Sequence, residues 1–175
     1  SALAQAWQDR PVEEVQHDLA TIQYETARLQ IILDDLLTAS QAELGRLHVV
    51  LRPVEVTALV RRVVETLAGL AWMSKRVQVT LTVPARTIFV QADPLRLEQA
   101  LVNLVQNALR HTSPGGLVML EVCPVLEQIC IEVEDTGEGI LPEDLPHIWE
   151  KYYQSGSPQR RSGYGMGLGL SLVKE

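Results

Sequence analysis

Residues 93–112 read DPLRLEQALVNLVQNALRHT, and their interpretation decides the rest of the chain. Asp93 offers an N-cap side chain, and Pro94 suits the first helical position, where a missing N–H costs nothing. The spacing predicts a helix running to about His111. Leu97, Leu101, Val102, Leu104, Val105 and Ala108 form its apolar side and should be core. Asn103 and Asn107 stand one turn apart on another face, with Arg110 three residues further on. A neutral amide oxygen suits Mg²⁺, which takes hard oxygen ligands and keeps several waters. Arg110 can point the same way, towards an anion. Alone this signal is weak, since surface amides are common and account for the pair more readily.

Working outward, residues 133–140 read VEDTGEGI. Asp135 follows a predicted strand and can accept a hydrogen bond from an exocyclic amine, such as that of adenine. Gly137 and Gly139 let the backbone approach a flat base closely. By itself the segment is also a strand ending in a glycine turn. Residues 163–170 read GYGMGLGL and precede a predicted helix starting near Leu168. Backbone N–H groups in such a loop favour phosphate. The loop lacks the GK[ST] of a Walker A motif and the spacing of a GxGxxG fingerprint. A linker is the plain alternative, although the glycines run directly into Leu170-Ser171-Leu172-Val173.

Upstream, the alternation of Val77, Val79, Leu81 and Val83 predicts a strand ended by Pro84. Residues 87–91 read as a second strand, and 117–122 with 129–133 as a pair. Residues 57–73 read as a helix with Leu59, Val60, Val63, Val64, Leu67 and Leu70 on one broad face. Residues 54–56 are a short extended piece, and Pro53 is expected to close a preceding helix. That helix carries Leu19, Ile22, Thr26, Leu29, Leu33, Leu36 and Ser40 in alternating steps of three and four, a heptad seam. So apolar a stripe needs a partner, and the spacing favours a helical bundle over packing against the rest of this chain. From Pro53 onward the elements suit one layer of helices on one sheet.

Composition bounds the function. The chain has 175 residues, 46% hydrophobic and 21% charged, which predicts a folded core. Fifteen basic against 22 acidic side chains give a formal charge of −7, and aromatics make up 5%. Such a chain is a poor nucleic-acid binder, because the phosphate backbone repels it. Cys123 and Cys130 fit no zinc or CxxC pattern and read as partly buried thiols in a reducing compartment. No apolar run reaches membrane-spanning length, so a soluble segment without membrane insertion is expected.

The three motifs occur in one order: N-x-x-x-N-A on a helix, D-x-G-x-G after a strand, G-x-G-x-G-L before a helix. This resembles the N, G1 and G2 boxes of the histidine-kinase ATP-binding domain. IWEKYYQ at 148–154 resembles that family's F box. RLQIILDDLLTASQAELG at 28–45 resembles the second helix of its dimerisation and phosphotransfer domain. The likeness covers nearly the whole chain and implies an α+β fold. This is a two-layer α/β sandwich of the GHKL or Bergerat type, preceded by a long helix of a dimeric bundle. Residues 1–51 would be the second helix and preceding loop of the dimerisation domain. Residues 52–175 would be the catalytic ATP-binding domain, truncated before its closing strands.

The resemblance also implies roles. Asn107 would ligate the Mg²⁺ that bridges the ATP phosphates, and Asn103 would support the metal and phosphate region. Arg110 would contact phosphate, and His111 would lie near the adenine. Asp135 would bind the adenine amine, with Gly137 and Gly139 shaping the pocket. Gly165, Gly167, Leu168 and Gly169 would form the phosphate-facing end of a lid over residues 154–162, with Arg160 and Arg161 in it. Trp149, Tyr152 and Tyr153 would pack that lid. Trp149 and Met166 depart from the family's usual residues, without removing a metal or adenine ligand.

The implied reaction transfers the ATP γ-phosphoryl group to a histidine and then to an aspartate of a response regulator, in a cytoplasmic homodimer. His17-Asp18-Leu19 starts like the family's acceptor motif, but Ala20-Thr21-Ile22 supplies neither its arginine nor its proline. His17 therefore reads as a solvated histidine, and the acceptor helix is expected outside this segment. ATP-hydrolysing relatives carry a glutamate where this chain has Asn103, a poor base. Kinase use is thus favoured over a GHKL-type ATPase or a nucleotide-binding signal module without transfer.

Overall fold

The computed structural model describes residues 11–43, 48–154 and 167–174. Helix α1 (Val12–Glu43) comes first. It starts earlier than the seam suggested, on Pro11, whose carbonyl accepts from the Glu14 and Val15 N–H groups. Pro53 does not close it. The described helix ends at Glu43, and Pro53 lies within strand β1 (Arg52–Glu55). The extended preference of the residue before a proline is satisfied there by a strand.

Helix α2 (Val56–Lys75) follows directly. Leu59, Val63, Leu67 and Ala71, four residues apart, form its buried row, with Val60 and Val64 alongside. Leu70 is exposed, because burial follows that row. Arg76 closes the helix in the left-handed region and donates its N–H to Trp72. Strand β2 (Gln78–Thr82) and strand β3 (Phe89–Ala92) lead into helix α3 (Pro94–His111), the helix of the opening stretch. Strand β4 (Leu117–Val125), strand β5 (Gln128–Asp135) and the short helix α4 (Gly169–Lys174) complete the described elements.

The five strands do not form one ladder. β1 pairs antiparallel with β3, with Val54 opposite Val90. Separately, β4 lies between a parallel β2 and an antiparallel β5. Parallel neighbours need a crossover, and β3 with α3 provides it between β2 and β4. β4 and β5 run longer than the sequence pattern suggested, since only Leu126 and Glu127 turn the chain between them. Leu126 takes a positive φ of 54° with no glycine or asparagine to announce it. Pro124 is tolerated because β2 ends opposite Glu121, which leaves that side of β4 open.

One face of β4 carries the core. Val118, Leu120 and Val122 are buried against Leu59, Val60 and Val63 of α2 and Leu101, Val105 and Ala108 of α3. This is a helical layer on a sheet. It sets α3 with its apolar side inward and leaves its asparagine side to α4.

Candidate functional site

α3 is pinned at both ends. At its start Asp93 Oδ1 accepts from the N–H groups of Leu95 (3.0 Å) and Arg96 (3.3 Å), the N-cap the sequence announces. Its Oδ2 accepts from Val50 N–H at 3.0 Å. The Val50 bond leads the causes that hold the Asp93 carboxyl below the usual carboxylate range. At the other end Lys75 of α2 donates to the carbonyls of Leu109 (3.1 Å), Arg110 (2.8 Å) and Thr112 (3.3 Å). A cation there satisfies orphan carbonyls and complements the helix dipole. The Thr112 hydroxyl donates back to Ala108 at 2.7 Å and is buried.

Asn103 and Asn107 differ. Asn103 is buried, and its amide donates to the Gly169 carbonyl at 3.3 Å. Gly169 lies so close that its own Cβ would touch the Asn103 side chain. α4 therefore starts against Asn103. Asn107, one turn on, is half-buried, and its side chain makes no hydrogen bond among the described residues. Its free amide oxygen is the kind of donor a hard divalent cation accepts, so the residues present fit Mg²⁺. Arg110 is exposed on the same turn.

The DTGEG segment is seated on the end of α3. Asp135 Oδ1 accepts from Gly137 N–H at 2.7 Å. Any Cβ on Gly137 would fall onto the His111 carbonyl and the Asp135 carboxylate, so only glycine fits this approach. The His111 ring Nδ1 lies 3.2 Å from Glu138 Oε1. Thr136 binds Leu117 through its N–H and its hydroxyl, both at 3.0 Å, and so ties the segment to the start of β4. Gly139 has φ 71° and open space around it. The second Asp135 oxygen stays available, and the exposed carboxylate borders the His111 end of α3.

On the other side Gly167 takes φ 70°, and its carbonyl accepts from Tyr152 N–H at 2.9 Å. A Cβ there would strike the Tyr153 carbonyl. Leu168 is fully buried, and its carbonyl accepts from the Ser171 hydroxyl at 2.8 Å. Of the three aromatics expected to pack here, Tyr153 is half-buried and donates to the buried Asp144 at 2.5 Å. That bond is the leading cause that raises the Tyr153 pKa. Trp149 and Tyr152 are exposed. Gly163, Gly165 and Met166, with Arg160 and Arg161, lie outside the described residues.

Two clusters thus lie along α3: Asn103 with Gly169, just after Gly167 and Leu168, and His111 with Asp135, Gly137 and Glu138. Sequence reasoning missed Lys75, Asp144 and Glu138. Each acts through a partner distant in the chain, and no local pattern marks such a pairing.

Comparison with known proteins places this geometry. Residues 92–175 match the family described as histidine kinase-, DNA gyrase B- and HSP90-like ATPase. The circadian input-output histidine kinase CikA of Synechococcus elongatus is 32% identical over 171 residues, which is 97% of this chain and 23% of that protein. Sensor protein CreC of Escherichia coli is 36% identical over 165 residues, 94% of this chain and 34% of that protein. This chain therefore spans a quarter to a third of these relatives. Full-length ShkA, a structure solved in complex with AMPPNP, superposes with a TM-score of 0.67 at 30% identity, over 91% of this chain and 33% of that one. Residues 92–175 thus belong to that ATPase-domain family, and this chain carries a GHKL-type ATP-binding catalytic domain similar to that of sensor histidine kinases.

Proposed function

We propose that this segment binds Mg-ATP between the two clusters on α3 and transfers the γ-phosphoryl group to a histidine of a phosphoacceptor helix. In this reading Asp135 accepts a hydrogen bond from the adenine amine with its second oxygen. Gly137 and Gly139 keep side chains away from the base, and His111 borders it. Asn107 supplies an oxygen to Mg²⁺, which when bound neutralises phosphate charge. Asn103 holds α4 and the start of the phosphate-facing segment, where Gly165, Gly167, Leu168 and Gly169 lie. Arg110 meets phosphate at the exposed rim. The P–O bond to ADP breaks as a P–N bond to the imidazole forms, and the imidazole proton passes to solvent. Such transfer needs positioning and charge neutralisation more than covalent help.

The observation that carries the reading is the DTGEG segment seated on the C-terminal end of α3, with one Asp135 oxygen uncommitted. Asn103 favours transfer over hydrolysis: its amide is engaged with Gly169, and an amide is no general base. Residues 1–51 then belong to the dimerisation and phosphotransfer domain and 52–175 to the catalytic domain. The parent protein works as a homodimer on the cytoplasmic side and passes phosphate to a response regulator.

The test supplies γ-labelled ATP, Mg²⁺ and a separate dimerisation domain that carries an acceptor histidine. Label appears on that histidine, and Asn107→Ala abolishes it. Steady ADP release with an unlabelled acceptor would identify an ATPase instead.

A further inference from the structure

The face of the three-stranded sheet away from the helices carries a feature that nucleotide chemistry does not use. Along β4 the buried Val118, Leu120 and Val122 alternate with Met119, Glu121 and Cys123, which turn to the other side. Cys123 pairs directly with Cys130 of β5, and Glu121 pairs directly with Glu132. The two sulfurs and a Glu132 carboxylate oxygen all lie within 4.8 Å of one another. Cys130 Sγ stands 3.6 Å from Glu132 Oε1. Both thiols are half-buried and Glu132 is exposed, so the group is open to solvent.

We propose that Cys123, Cys130 and Glu132 form a site for a thiophilic divalent cation, Zn²⁺ in the first instance. Two thiolates and a carboxylate are three protein ligands of the kind zinc takes, with water in the fourth position. Tetrahedral Zn–S bonds of about 2.3 Å set two sulfurs about 3.8 Å apart, within reach of small rotamer changes from the arrangement present. The surrounding charge points the same way. Like charges directly opposite in a ladder are unfavourable, and Glu121 faces Glu132. None of β2, β4 and β5 contains a lysine or arginine. A bound cation relieves that repulsion. Burial, with the neighbouring Glu132 carboxylate, pushes the Cys130 thiol up. Thiolate is the metal ligand, so binding releases the thiol protons to solvent. The ion clamps β4 to β5, and β5 ends at Asp135.

Cys123 and Cys130 are the only cysteines of the chain, so a thiol reagent reads this site alone. The reduced, metal-free 175-residue chain is titrated with Zn²⁺ while thiol alkylation is followed. One ion per chain slows alkylation of both thiols by at least about tenfold, and Mg²⁺ does not, since it prefers oxygen ligands. Cd²⁺ produces a sulfur-to-metal charge-transfer absorption. Glu132→Gln weakens Zn²⁺ binding by about 10-fold or more, and Cys123→Ser by at least about 100-fold, since outer-shell partners alone are worth about 10–100-fold. Unchanged alkylation at saturating Zn²⁺ overturns the proposal. So does a Cys123→Ser/Cys130→Ser chain that binds Zn²⁺ as tightly as its parent. The alkylation measurement needs no variant, so it stands even where a substitution disturbs the fold.

Discussion

α1 and α2 carry the same kind of apolar stripe and meet opposite fates. On α2, Val60 is 0% and Val63 3% exposed, sealed by α3 and β4. On α1, Leu29 is 59% and Leu33 57% exposed, and Leu19, Ile22 and Leu37 are comparably open. Among the described side chains of α1, Thr38 is the buried one, where Arg96 (3.1 Å) and Gln99 (3.3 Å) of α3 donate to its hydroxyl. A stripe thus states that a helix needs a partner. It does not state whether the partner lies in the same chain. For α1, polar contacts at one end join it to the domain, and Leu19, Leu29, Leu33, Leu36 and Leu37 stay exposed.

Four variants grade this contrast. Leu120→Ala, in the core that seals α2, costs about 2–5 kcal/mol and lowers the unfolding midpoint most. Lys75→Met strips the cation from three carbonyls at the end of α3 and costs about 1–3 kcal/mol, read in denaturant unfolding. Arg96→Ala breaks the contacts to Thr38 and to Gln41 (3.3 Å) and costs about 1 kcal/mol. Hydrogen exchange should then quicken in α1 and stay unchanged in the strands. The paired change Leu29→Ser with Leu33→Ser shifts domain stability by no more than about 0.5 kcal/mol. It weakens self-association in sedimentation. A large loss of domain stability from that last pair would show that α1 belongs to the same core as α2 and would break the comparison.

The sequence made some of this plain. The Asp93-Pro94 helix start and the alternation along β2 are local signals with local causes, and they match the structure. The expected core face of α3 holds for Leu97, Leu101, Val102, Val105 and Ala108, whereas Leu104 lies outside the core and Leu109 packs against it instead. The two-sheet arrangement was not legible, because pairing depends on which strands meet and not on alternation within one. Pro53 reads as a helix stop and serves as a strand residue, since proline constrains its neighbour without specifying a partner. The Leu126-Glu127 turn lacks the glycine that would signal it. At the candidate site, Asn103, Asn107, Asp135 and Gly137 could be singled out because their residue types are unusual for their positions. Lys75, Asp144 and Glu138 could not. Their meaning arises only when a distant carbonyl, hydroxyl or imidazole arrives beside them.

Calorimetric titration with ATP and Mg²⁺ decides whether nucleotide binds at the His111 end of α3. The unmodified chain should bind one nucleotide. Asp135→Asn should weaken binding by about 10–100-fold, the equivalent of one hydrogen bond to a charged group. Asn107→Ala should lose the Mg²⁺-dependent part of the affinity and keep the metal-free part. Equal affinity in all three proteins, with or without Mg²⁺, would contradict the account.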